Sequence, residues 1–204
     1  MIIADLDGTI LTRWTPGNWS PAPGPIAQAD AILTNQGGLA LRWAGLPWAA
    51  KYPDWEITRE RVQAGMERSG AQIALLAVYH PKQRQSLRGW AMELAGLFLP
   101  PIHAGDGILL SFSRRFRKPN PGGLRWLVRR LGGAGGNLYI GDQDTDELAA
   151  NAAGIAFRYV DQAASSAAET DTQRGGDTDG TGNSNDQSGN QQLDHRTGNR
   201  PGSG

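Results

Sequence analysis

Apolar and polar positions alternate along this chain in blocks that read as short buried strands and amphipathic helices. Residues 1–4 form an apolar run too short for a helix, which predicts a buried strand. Residues 31–33 predict a second strand ending at Thr34, and residues 73–78, strongly apolar throughout, predict a third. Further strands are expected at 108–112, 137–140 and 155–160. Between them, residues 57–69 read as a helix capped by Thr58, with Arg59, Glu60, Arg61, Glu67 and Arg68 as its exposed charges. In residues 83–98, Leu87, Trp90, Ala91, Leu94, Leu97 and Phe98 recur at helical spacing, and Pro100-Pro101 ends the pattern. Residues 121–131 carry the stripe Leu124, Leu127, Val128 and Leu131, and residues 144–153 form an Ala-rich helix. Residues 10–25 and 37–54, rich in Gly, Pro and Trp, read as loops, with a turn or two of helix at 26–31. There is no internal repeat.

Strands alternating with helices imply a mostly parallel sheet covered by helices on both faces. From about residue 163 the apolar residues all but vanish and Gly, Ser, Thr, Asn, Asp and Gln dominate. Such a segment cannot bury enough surface to offset its ordering entropy. The expected organisation is therefore one domain over residues 1–162 and a disordered tail over 163–204.

Composition narrows the chemistry. The 204 residues include no Cys, which excludes disulfides, thiolate metal sites and a cysteine nucleophile. The formal net charge is zero, but residues 1–162 hold 17 basic and 14 acidic side chains, leaving a tail of opposite sign. That body charge is too small to argue nucleic-acid binding alone. No apolar run approaches the ~20 residues of a membrane span. Asp5 interrupts the first apolar run too early for a signal peptide, so the expected location is the cytoplasm, with no membrane association.

The chemistry-bearing stretch is Asp5-Leu6-Asp7-Gly8-Thr9. Side chains two apart on a strand share a face, so both carboxylates leave together as the strand ends. Gly8 permits a sharp bend there. Alone this is equally an acidic strand end with a tight turn. Three later segments follow it in order: Thr34-Asn35-Gln36-Gly37-Gly38, Arg117-Lys118-Pro119, and Gly141-Asp142-Gln143-Asp144-Thr145-Asp146.

Together these four segments resemble the phosphatases of the haloacid dehalogenase (HAD) superfamily over roughly residues 1–160. The resemblance implies a Rossmann-like α/β/α sandwich without a large cap domain. It implies that Asp5 is a nucleophile forming an aspartyl phosphate and Asp7 the general acid, then base. Thr34, Asn35 and Gly37 would hold phosphate oxygens, with Gly38 allowing close backbone approach, and Lys118 would neutralise the phosphate, with Arg117 as a second phosphate-binding cation. Mg²⁺ would be bound by Asp5, the Asp7 carbonyl and Asp142, with Asp146 supporting it indirectly. Asp144 reads better as a helix N-cap and His80 as a loop residue. Among relatives, the motifs look most like histidinol-phosphate, heptose bisphosphate and polynucleotide 3′-phosphatases, although the Cys-containing zinc loop of the first two has no counterpart here. The implied substrate is a phosphorylated small molecule (sugar phosphate or nucleotide) or a nucleic-acid 3′-phosphate, with no obligate protein partner. A non-catalytic binding protein on the same fold and a phosphotransferase are the competing readings. The Trp residues of the 37–54 segment would stack on a substrate ring or cover the sheet rim, and the helix of 83–98 would form a small lid.

Overall fold

The computed structural model describes residues 1–13, 20, 28–133 and 135–161. The predicted tail at 163–204, most of the predicted 10–25 loop and the start of the 26–31 turn lie outside the described residues.

Among the described residues seven strands form one sheet. In chain order the elements are β1 (Ile2–Ala4), β2 (Ala31–Asn35), α1 (Gly37–Trp43), α2 (Trp55–Ser69), β3 (Ile73–Ala77), α3 (Leu87–Phe98), β4 (Ile102–His103), β5 (Ile108–Ser111), α4 (Gly122–Arg130), β6 (Leu138–Gly141), α5 (Asp144–Ala153) and β7 (Ala156–Tyr159). The spatial order is β4-β5-β3-β2-β1-β6-β7. All neighbours are parallel except the edge pair β4–β5, where Ile102 faces Leu110. This is the α/β, Rossmann-like architecture expected from the alternation of elements.

The period-two rule divides the core into two layers. Ala4, Ile32, Ala74, Leu76, Ile108 and Leu110 point to one face, where they meet Leu39 and Ala40 of α1 and Val62 of α2. Ile3, Ala31, Leu33, Leu75, Leu109 and Tyr139 point to the other, against Leu124 and Leu127 of α4 and Ala149 and Ala150 of α5. Strands buried on both faces read as unbroken apolar runs, which is why β3 was legible.

β1 sits at the point where the chain reverses direction across the sheet, with β2 on one side and β6 on the other. Open parallel sheets present their ligand crevice at the carboxyl ends of such strands. Asp5 and Asp7 follow β1, and Asp142 follows β6.

Three local expectations are corrected. Residues 37–54 are not a simple loop: α1 occupies the first turns and a 3₁₀ helix spans Pro47–Lys51. Leu39, Ala40 and Leu41 are buried, and that packing overrides the low helix propensity of Gly37 and Gly38. The cap of α2 is Asp54, whose carboxylate accepts from Ile57 N at 3.0 Å. Thr58 is buried instead and donates to the Asp54 carbonyl at 2.6 Å.

The third correction concerns α3, which is split from a preceding 3₁₀ turn (Pro81–Gln85) and packs with its predicted apolar stripe outward. Leu87 and Phe98 are each 82 % exposed, and Trp90, Leu94 and Leu97 are exposed too. The inner face is Gly89, Glu93 and Gly96. A Cβ on Gly96 would lie 2.3 Å from the Phe112 carbonyl oxygen, and one on Gly89 2.0 Å from that of Gln83. Backbone-to-backbone approach thus selects the glycine face. Glu93 is held there by Arg84, whose hydrogen bond also keeps the carboxyl below its ordinary range.

Candidate active site

The site is built on strand ends. As β1 runs out, Asp5 N still donates to Ile140 O at 2.9 Å, which pins the first acid beside β6. Gly8 then turns the chain with φ +91°, a conformation that disfavours any Cβ. A Cβ there would stand 2.1 Å from Asp142 Oδ2, so the turn also needs the space.

Lys118 lies at the centre of the buried charges. Its Nζ is 2.7 Å from Asp5 Oδ1 and 2.5 Å from Asp146 Oδ1, and it donates to Tyr139 Oη at 3.0 Å. Its main chain is fixed by Asn35, which accepts from Lys118 N at 3.0 Å and donates to Lys118 O at 3.2 Å. Asn35 therefore spends its side chain on placing the lysine. Tyr139 Oη in turn donates to Asp146 Oδ1 at 3.1 Å. Asp146 Oδ2 accepts from the N–H groups of Asp142 and Gln143 at 3.3 and 3.2 Å, at the start of α5.

Burial drives the electrostatics. Desolvation pushes the Asp5 carboxyl up to about 7, Lys118 pulling it down less than burial and the neighbouring Asp146 and Asp7 raise it. Burial alone would lower the Lys118 ammonium, but the Asp5 and Asp146 carboxylates outweigh it and leave that group raised. The Tyr139 phenol is raised well above its ordinary value by burial and the same two acids.

Asp5, Asp142 and Asp146 each place one carboxylate oxygen within 4.8 Å of the others. Asp142 Oδ1 is buried with no hydrogen-bond partner, while its Oδ2 faces Arg13 at 2.7 Å. A set of carboxylate oxygens with an unused acceptor fits a hard divalent cation such as Mg²⁺. Both Asp146 oxygens already accept, from Lys118 and Tyr139 on one side and from the Asp142 and Gln143 N–H groups on the other, which suits a supporting position better than a direct ligand.

Asp7 lies on the other side of the turn, half-exposed to a cleft of about 440 Å³. Its Oδ2 accepts from Gln36 Nε2 at 2.9 Å and from Thr34 Oγ1 at 3.4 Å, and its Oδ1 is paired with Arg61. Gln36 also donates to Thr34 Oγ1 at 3.0 Å. Arg13, Lys51 and Tyr52 line the outer part of the cleft. None of its lining residues comes from α3, so the lid reading of that helix has no support in the geometry.

Asp5, Asp142, Asp146 and Lys118 thus come together, while Thr34 gathers with Asp7 and Gln36 beside the cleft. Arg117 turns elsewhere: it donates to the Tyr79 carbonyl at 3.0 Å, and burial lowers its guanidinium. Gly37 and Gly38 are tight for internal reasons, since Cβ atoms there would sit 2.8 Å from Arg117 Nη1 and 2.8 Å from the Tyr52 ring. His80 Nδ1 accepts from Lys82 N at 3.1 Å at the head of the 3₁₀ turn. Asp144 is the first residue of α5, after Gln143 at the cap position. Trp43 packs against Trp55 and Phe112 and does not line the cleft.

Sequence reading missed Arg61, Gln36 and Tyr139. In sequence Arg61 reads as one of the exposed charges of α2, yet it is 1 % exposed. Gln36 is an uncharged residue in the middle of the Thr34–Gly38 segment, and only its bonds to Asp7 and Thr34 mark it out. For Tyr139 the signal was a polar tip in an otherwise apolar strand.

A mostly parallel α/β sheet thus carries an acid cluster and a buried lysine at its reversal point. Consistently, the family model described as HAD-hydrolase-like matches residues 115–178. The match takes in Lys118, Asp142 and Asp146 but not Asp5 or Asp7. Searches of curated proteins and of solved structures gave no significant match. Among the described residues no helix is long and apolar enough to cross a membrane.

Proposed function

We propose that this chain is a Mg²⁺-dependent phosphomonoester hydrolase that works through an aspartyl phosphate on Asp5. The observation that carries this reading is the single ammonium of Lys118 held between Asp5 and Asp146, next to Asp142, at adjoining strand ends. The family match over residues 115–178 supports the hydrolase class independently of the amino-terminal acids.

In this reading an Asp5 oxygen attacks phosphorus, the ester P–O bond breaks, and the leaving oxygen takes a proton from Asp7. A water then gives its proton to Asp7 and attacks phosphorus, and the Asp5–phosphorus bond breaks to release phosphate. Lys118 offsets negative charge on Asp5 and on the phosphoryl oxygens. Asn35 holds Lys118 in place, while Thr34 and Gln36 orient Asp7. Asp5, Asp142 and the Asp7 carbonyl would hold Mg²⁺, which supplies electrostatic screening between carboxylate and phosphate. The cleft beside Asp7, with Lys51 and Tyr52 at its outer side, suits a sugar phosphate, a nucleotide or a 3′-phosphorylated oligonucleotide end.

The test is phosphate release from a panel of those three substrate classes, with Mg²⁺ and with chelator. The wild type should turn over at least one class only with the metal. Asp5→Asn should abolish turnover and keep the thermal transition. Full activity in Asp5→Asn, or no wild-type turnover on the whole panel, would overturn the reading.

A further inference from the structure

We infer that Arg61 is a positioning residue for Asp7, assigning the acid/base proton to one oxygen of that carboxylate. The inference rests on the phosphatase reading above. Arg61 projects from the middle of α2, some fifty residues from Asp7 in sequence, and its side chain is 1 % exposed. A buried guanidinium carries a desolvation cost that a well-packed apolar side chain of similar volume would avoid. Among the described residues Arg61 meets only part of its own demand: Nη2 pairs with Asp7 Oδ1 and reaches the Thr12 carbonyl at 3.4 Å, while its buried Nε has no partner. As a structural strut it is poorly satisfied. Its one strong contact among the described residues is the carboxylate that faces the cleft.

The two Asp7 oxygens are held by donors of different kinds. Oδ1 faces a guanidinium, which can only donate and is always charged. A proton on Oδ1 would point at another N–H. Oδ2 faces the Thr34 hydroxyl and the Gln36 amide. The hydroxyl can rotate and accept, so a proton on Oδ2 has a partner there. Arg61 therefore directs the exchangeable proton of Asp7 to Oδ2 and fixes the carboxylate plane. Its contact to the Thr12 carbonyl couples this orientation to the loop that carries Arg13 towards Asp142.

The experiment compares two substrates. An alkyl phosphate leaves as a basic alkoxide and needs the proton; p-nitrophenyl phosphate leaves as a stable phenolate and does not. We expect Arg61→Met to lower kcat/KM for the alkyl phosphate about 100-fold but for p-nitrophenyl phosphate by no more than ~3-fold. Because Asp7 also serves the water step, nitrophenol release should gain a burst. Arg61→Lys should recover part of the alkyl-phosphate loss, and Asp7→Asn/Arg61→Met should be no worse than Asp7→Asn alone. If Arg61→Met does not fold, the same substrate contrast is read on Arg61→Lys, where about 10-fold is expected. Equal losses on both substrates, or none, overturn the inference while leaving the phosphatase reading intact. Absence of wild-type turnover on both overturns the two together.

Discussion

Replacing Lys118 by Met removes the one cation that, among the described residues, touches both Asp5 and Asp146 while keeping most of the side-chain volume. All three groups are almost fully buried, with side-chain exposures of 3 %, 3 % and 0 % for Lys118, Asp5 and Asp146. Removing one partner of a buried pair costs about 3–5 kcal/mol, because the remaining charge stays out of water unpaired. Two acids are stranded here, but they do not suffer equally. Asp146 keeps three donors: Tyr139 Oη and the N–H groups of Asp142 and Gln143. Asp5, already raised to about 7 by burial, escapes by taking up a proton. The loss should therefore lie within that range, not at twice it, and lower Tm on the order of 10 °C for a domain of this size. It should be larger at alkaline than at acidic pH, where Asp5 is already protonated. The assay is thermal unfolding of metal-free wild type, Lys118→Met, and Lys118→Met/Asp146→Asn, the last expected to regain part of the loss. A Lys118→Met protein that melts within about 1 °C of wild type above pH 8 would refute the reasoning.

Two further predictions concern the ionisation of Asp5 and the packing of α3. Asp5 ionises near 3.8 when unfolded and at about 7 when folded, so between those values the folded chain keeps a proton the unfolded chain has lost. Metal-free stability should fall as pH rises across that window and level off above it, with Mg²⁺ flattening the decline; urea midpoints that rise with pH there would contradict it. On α3, Gly96→Ala should destabilise strongly, because its Cβ would lie 2.3 Å from a main-chain oxygen, whereas Leu87→Ser on the outer stripe should change unfolding by no more than about 0.5 kcal/mol. Comparable losses for the two substitutions would mean that the stripe is packed.

What could be read from the sequence was chemistry carried by neighbours along the chain. Asp5 and Asp7 announce themselves because two acids and a glycine directly follow an apolar run, although the turn sends Asp5 to Lys118 and Asp7 to Arg61 and Gln36, and β3 because a strand buried on both sides has no polar position. Arg61 could not be found that way. Its partner lies far off in sequence, and on a helix with Arg59, Glu60 and Arg68 nearby nothing local separates a buried cation from a wet one. Tyr139 and Gln36 share the difficulty, since each matters only through a partner brought in by the sheet.

The stripe of α3 exposes a different limit. Period 3.6 identifies which side chains share a face, but the sign of that face, inward or outward, depends on what the neighbouring backbone can accept. Here Gly89, Glu93 and Gly96 also recur at i, i+4 and i+7, and only that face lets the helix axis come close enough to meet the carbonyls of Gln83 and Phe112. An apolar stripe would hold the helix farther out by the width of its side chains and would pull Glu93 away from the position at which Arg84 reaches it. Two glycines with a paired acid between them can thus outweigh five large apolar residues, because close main-chain contact and one satisfied charge leave those residues no alternative seat in the core.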